Sequence, residues 1–164
     1  MITIHGEISE IQNGFDEIIN HLEAFKLQKD ITVHVKKSEK DVFVTCDRTE
    51  AVIEYNKPIH FFRALGQMIS GLADSDSFVI EEKEIFQAMG CSPELNLNKF
   101  SMEGHKAWFR YMAVMGLDTY LISIPCAYHV KGYPYFGYMS GAYTSEEIKE
   151  ITAYAQLFGI EVIP

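Results

Sequence analysis

The sequence predicts an α/β protein in two parts, a small α+β domain over 1–84 and the first βα units of a larger, truncated barrel over 85–164. Three observations predict it. The first half sets short β-branched runs around two amphipathic helices, and the second half alternates strand and helix, the pattern of parallel pairing. The last residues, IEVIP (160–164), read as a strand with no helix after it. A buried parallel strand expects a covering helix, so the second half reads as an unfinished sheet whose open edge invites pairing.

ITIHGE (2–7) alternates apolar and polar residues as a short strand does. Ile11, Phe15, Ile18, Ile19, Leu22 and Phe25 then recur at helical spacing and give one apolar face. ITVHV (31–35), DVFVTCD (41–47) and AVIEYN (51–56) are short and separated by charged turns, which predicts an antiparallel meander. Asn56 is placed to cap the next helix, with Pro58 in its first turn, where a missing N–H costs nothing. Phe62, Leu65, Ile69 and Leu72 stripe that helix, and DSDS (74–77) ends it.

A strand from Phe78 leads through EEKE to IFQAMGCSPEL (85–95) and a helix over about 102–115. Trp108, Tyr111, Met112 and Met115 share one face of this helix, and Gly116 is placed for its C-cap. DTYLISIP (118–125) reads as a buried strand, followed by an aromatic, glycine-rich loop, KGYPYFGYMSGAY (131–143). Thr144 with Glu147 three residues on is a capping box, and Ile148, Ile151, Ala155 and Phe158 form the apolar face of the helix that Gly159 stops.

Composition narrows the partners. The 164 residues are 48% hydrophobic and 13% aromatic, ample for a packed core. A net charge of −9, from 23 acidic and 14 basic residues, disfavours nucleic acid and anionic membranes as partners. Three cysteines without C-x-x-C spacing, and an N-terminus with no basic-then-apolar leader, predict a soluble cytoplasmic protein.

NKPIHFFRALGQM (56–68), MGLDTYLIS (115–123) and GYPYFGYMSGAYTSEEIKEITAYAQLFGIEVIP (132–164) together resemble glycoside hydrolase family 20, in its bacterial exo-β-N-acetylhexosaminidases. The resemblance implies a metal-free zincin-like domain followed by a (β/α)8 catalytic barrel, of which this chain holds strands one (89–97), two (119–124) and three (160–164). It also implies removal of terminal β-linked N-acetylhexosamine from glycans by substrate-assisted retaining hydrolysis, with an Asp-Glu pair on the fourth strand doing the work. The sole Asp-Glu dipeptide here, Asp16-Glu17, sits in the first helix and reads as a solvated face. The chain alone is therefore expected to be inactive.

The sugar-gripping motif on barrel strand one, Asp-x-Ser-Arg-Asn, aligns with Glu94, Asn96, Leu97 and Asn98. Leu97 thus replaces the cation, unless the register shifts by one and Lys99 takes that duty. Glu94 and Asn98 remain as candidate substrate contacts. Tyr133 and Tyr135, with Phe136, Tyr138 and Tyr143, are candidates to stack on pyranose rings from the active-site face. The alternative is that these rings only pack on one another. A second class of reading is a noncatalytic carbohydrate-binding or assembly module that completes its sheet as a homo-oligomer.

No cofactor is implied. The six histidines show no H-E-x-x-H or paired spacing, which predicts no metal site. His60 and Arg63 are expected to make hydrogen bonds between the two parts. Cys126 with His129 three residues on is the spacing of a thiol and its base, though a buried free cysteine is the plainer reading. G-Y-M-S-G (137–141) lacks the Lys and the spacing of a phosphate loop.

Overall fold

A computed structural model describes residues 1–93, 99–122, 130–136, 138 and 141–164. The first part is a five-stranded sheet of β1 (Ile2–Gly6), β2 (Ile31–Lys37), β3 (Val42–Asp47), β4 (Glu50–Tyr55) and β5 (Ser77–Glu82), with α1 (Gln12–His21) after β1 and α2 (Pro58–Asp74) after β4. Period-2 alternation turns Ile4, Val33, Val35, Val42, Val44, Ile53 and Tyr55 inward, and all are buried. The sheet order is β1-β2-β4-β3-β5.

That order corrects the predicted meander. β3 pairs antiparallel with β4 (Val44↔Ile53) and with β5 (Val44↔Ile80), but β2 pairs parallel with β4 (Val33↔Ala51) and does not touch β3. Residues 38–41 step across two strand spacings, about 10 Å, and a two-residue hairpin at Arg48, whose φ is 59°, returns β4 into the gap. Charged turns mark where strands stop, not which neighbour each one takes.

The second part carries a parallel three-stranded sheet, β6 (Gly90–Cys91), β7 (Thr119–Leu121) and β8 (Glu161–Ile163), joined through α3 (Met102–Met115) and α4 (Ser145–Gln156). Gly90 pairs with Thr119, and Tyr120 with Val162. Of the predicted helix signals, the Thr144–Glu147 box forms in both directions, at 2.8 and 3.1 Å. Gly116 caps α3 at φ 78°, a left-handed conformation that glycine adopts without penalty. The predicted cap at Asn56 does not form: Lys57 is the N-cap of α2, and its backbone N–H donates to His60 Nδ1 at 3.4 Å.

Of the face expected for α3, Met112 is buried and the other three residues are not. Its buried residues are His105, Phe109, Arg110, Met112 and Ala113, whereas Trp108, Tyr111 and Met115 are exposed. Hydrophobicity picks out the wrong stripe because the buried one carries a histidine and an arginine whose polar atoms find partners inside.

α2 is buried on two sides, against the first sheet and against α3, so the two parts share one core. Rings run through it in sequence: Tyr55–Phe61 at 5.8 Å, Phe61–Phe62 at 5.2 Å, Phe62–Phe158 at 5.2 Å and Phe158–Tyr154 at 5.6 Å. Gly66 lets α2 approach α3, since a Cβ there would lie 2.4 Å from the Val114 carbonyl oxygen. No helix among the described residues is long and apolar enough to cross a membrane.

Candidate functional site

In parallel α/β architectures, the loops leaving the C-terminal ends of the strands build the working face. Two such connections leave here, one from β6 towards α3 and one from β7 towards α4. Their far ends are tied together. Phe100, just before α3, donates its N–H to the Tyr143 hydroxyl at 2.8 Å, and its carbonyl accepts from the same hydroxyl at 3.1 Å. Lys99 pairs with Glu147, which holds that carboxyl below the usual range.

Beneath this clasp lies His105, fully buried, with Nε2 2.9 Å from Tyr143 Oη and Nδ1 3.2 Å from Tyr120 Oη. One proton arrangement satisfies every group. Tyr120 donates to Nδ1, Nε2–H donates to Tyr143, and Tyr143 donates to the Phe100 carbonyl. His105 is then the neutral Nε2–H tautomer, and burial lowers its pKa to about 4. Tyr143→Phe removes one oxygen and leaves three groups short of a partner, which predicts a loss of about 1–3 kcal/mol, read as a lower urea midpoint at unchanged slope.

Tyr143 is thus a structural clasp, buried to 2% exposure, and the expectation that it stacks on a sugar is overturned. Tyr133, Tyr135 and Tyr138 stand 68%, 83% and 67% exposed, and the rings of Tyr135 and Tyr138 meet edge to face at 6.3 Å. Lys99, the alternative sugar-binding cation, is held by Glu147 and lies over the Tyr143 ring at 5.2 Å. Glu94, Leu97, Asn98, Cys126 and His129 lie outside the described residues.

The opposite end of the parallel sheet holds a second feature that chain spacing did not reveal. Met89 and Asp118, immediately before β6 and β7, line a cavity of about 190 Å³ together with Asp41, His60 and Glu84. His60, buried, reaches within 3.9 Å of Asp41 and 3.8 Å of Glu84. Its pKa is lowered by burial, against the pull of the two carboxylates. Arg63 makes a two-pronged hydrogen bond to Glu82 at 2.9 and 3.0 Å. Among the described residues the polar contacts of both side chains stay within residues 41–84, and it is the stem of Arg63, beside Gly116, that reaches the second part. That corrects the expected hydrogen bonds between the parts.

Those come instead from Glu17, which was expected to be solvated. It accepts from buried Arg110 at 3.2 Å and from Tyr154, while Arg110 also donates to Tyr154 at 2.6 Å. Asp16 does lie exposed, bonded to Gln12. Locally, Glu17 sits on the polar flank of α1, and only the packing of α3 and α4 against that flank supplies its partners.

No protein-family profile matches the sequence, and no curated protein matches it. Solved structures do match, and they define a class: the fold is one found in family 20 glycoside hydrolases. Over 99% of its length the chain aligns with the exo-β-N-acetylglucosaminidase of Vibrio harveyi, solved with N-acetylglucosamine, at TM-score 0.75 and 16% identity, covering 32% of that chain. The β-N-acetylhexosaminidase of Streptomyces coelicolor A3(2) aligns at TM-score 0.70 and 14% identity, over 99% of this chain and 41% of that one. A Streptomyces plicatus β-hexosaminidase in complex with its product aligns at TM-score 0.67 and 14% identity, over 98% and 40%. The chain thus spans between 32% and 41% of the length of these three structures.

Proposed function

We propose that this chain is the N-terminal part of a family 20-like glycoside hydrolase: a zincin-like domain over 1–84 and the first three strands of the catalytic (β/α)8 barrel over 85–164. The likeness to those enzymes runs through both sheets and their helices, which is the observation that carries the reading. The whole enzyme removes terminal β-linked N-acetylhexosamine, with the substrate's acetamido oxygen as nucleophile. Its acid and its orienting carboxylate lie on barrel strand four, which this chain does not contain. Glu94, Asn98, Tyr133 and Tyr135 belong to its sugar-facing side, and a cytoplasmic location belongs to the same reading.

The chain alone releases nothing from a chromogenic N-acetylglucosaminide. Measured turnover above buffer overturns that expectation. The reading as a whole is checked in the coding frame beyond Pro164, where an Asp-Glu pair followed by tryptophans at barrel spacing is expected, and its absence defeats the proposal.

Three exposed tyrosines in one loop favour a second reading, a noncatalytic carbohydrate-binding or assembly module. Calorimetric titration with N-acetylglucosamine tests this second reading: it requires saturable millimolar binding abolished by Tyr135→Ala, and a flat trace removes it.

A further inference from the structure

We propose that one flank of α3 and the free edge of β6 form a single docking surface. Its occupant is a further strand-and-helix unit of the same polypeptide, encoded beyond Pro164. This surface presupposes the reading above, that the polypeptide continues, and adds where the continuation returns.

Three sides of α3 are taken within the chain. Towards the sheet, Phe109 meets Tyr120 at 5.0 Å, and the sulfurs of Met112 and Cys91 lie 3.6 Å apart. Towards α4, Lys106 reaches Glu150 at 2.9 Å and Arg110 reaches Tyr154 at 2.6 Å. Towards α2, Val114 lies against Gly66. The fourth side carries Gly104, Trp108, Tyr111 and Met115, at i, i+4, i+7 and i+11, the spacing of a helix-packing seam. Trp108, Tyr111 and Met115 are 42%, 55% and 55% exposed. A single exposed apolar side chain is ordinary, but a stripe of three on one helix marks a surface that binds something. The stripe that hydrophobicity picks out on α3 is thus left for an element outside residues 1–164 to bury.

The strand beside it is also open. β6 pairs with β7 along one edge, and among the described residues nothing pairs along the other. Trp108 joins the two features, because its Nε1–H points at Cys91 Sγ, 3.3 Å away on β6. Phe86 and Met89, in the approach to the same strand, are exposed as well. All three strands of this sheet run parallel, and β6 and β7 are each followed by a helix that covers it. A unit of the same kind added beyond β6 sets its strand on the open edge and its helix along Trp108, Tyr111 and Met115.

A second copy of residues 1–164 fits the surface less well. Bringing its β8 and α4 to this edge makes a head-to-tail contact that leaves the same two edges bare at the ends, so it extends without closing. The α4 it brings exposes Glu146, Lys149, Ala153 and Gln156, which offer little apolar area to an aromatic stripe. A twofold contact through β6 joins strands of only two residues each. The structures that share this fold are long enough to supply the unit, since this chain spans 32–41% of them and more than half of each lies outside it.

The test compares residues 1–164 with the longer polypeptide read through the same coding frame. Hydroxyl-radical footprinting, read by mass spectrometry, follows the peptides that carry Trp108 and Met115. Both side chains should oxidise readily in 1–164 and severalfold more slowly in the longer protein. The double variant Tyr111→Glu, Met115→Glu should leave the urea midpoint of 1–164 unchanged and lower that of the longer protein. Equal oxidation in the two proteins overturns the proposal, and release from a chromogenic N-acetylglucosaminide by that longer protein would leave the hydrolase reading standing without it. A longer frame with neither an Asp-Glu pair nor release defeats that reading and this proposal together. Dimers of the longer protein in light scattering, broken by the double variant, would give the surface to a second copy and also overturn the proposal.

Discussion

Truncating Phe158 to alanine is expected to lower the free energy of unfolding by about 3–5 kcal/mol. The ring is fully buried, meets Phe62 edge to face at 5.2 Å and Tyr154 at 5.6 Å, and closes over the glycine face of α1 at Gly14. The surroundings have little freedom to collapse into the space, because on that side the neighbour is helix backbone. A Cβ on Gly14 would already stand 2.6 Å from the Leu157 carbonyl oxygen. Phe158 belongs to the second part of the chain and Phe62 to the first, so the loss falls on both. Urea unfolding followed by Trp108 fluorescence and by far-UV circular dichroism should shift together, as one transition. A shift confined to the Trp108 signal would show that the two parts unfold separately. Val79→Ala, on the open face of the first sheet at 68% exposure, is the control and should change stability by less than about 0.5 kcal/mol.

What the sequence makes legible is whatever is decided within one turn of chain. The Thr144–Glu147 box, the left-handed glycines 116 and 159, and the alternation of β1 all depend on neighbours two to four residues away, and all appear where expected. Strand order is not decided locally, because residues 38–41 suit a hairpin to an adjacent strand as well as a step over one. The buried face of α3 is illegible for a related reason. His105 and Arg110 are affordable inside only because Tyr120, Tyr143, Tyr154 and Glu17 arrive from four other segments. Asp41, His60 and Glu84 come from β3's approach, the first turn of α2 and the end of β5, and no spacing along the chain links them. The clasp at Tyr143 carried a visible signal, an aromatic next to a capping box, but the same signal is compatible with a stacking platform. What separates the two is burial, and burial is a property of the assembled fold.

Stability is expected to fall as pH drops from about 6.5 to about 4, and His105 should carry a separable share of that fall. Its folded pKa, about 4, lies below the ordinary value of 6.5, so between those limits the unfolded chain binds a proton that the folded chain refuses. The contribution is therefore intact above pH 6.5 and lost as the solution is acidified, by on the order of 3 kcal/mol in all. The proton arrangement gives the reason beyond burial: Tyr120 has one hydrogen to donate, and protonating Nδ1 turns its acceptor into a second donor. Carboxylates held by cations, such as Glu82 by Arg63 and Glu147 by Lys99, act lower down. Their pKa values lie below 4.5, so what they contribute is lost as pH falls through those depressed values. His60, also lowered by burial, shares the upper window, which makes the comparison with a variant necessary. His105→Gln keeps one donor and one acceptor and never charges. It should be less stable than the parent at pH 7.5 and show a shallower loss between pH 6.5 and 4.5. Equal slopes in the two proteins, or an imidazole resonance of His105 titrating near 6.5, would show that the ring is not held neutral by this clasp.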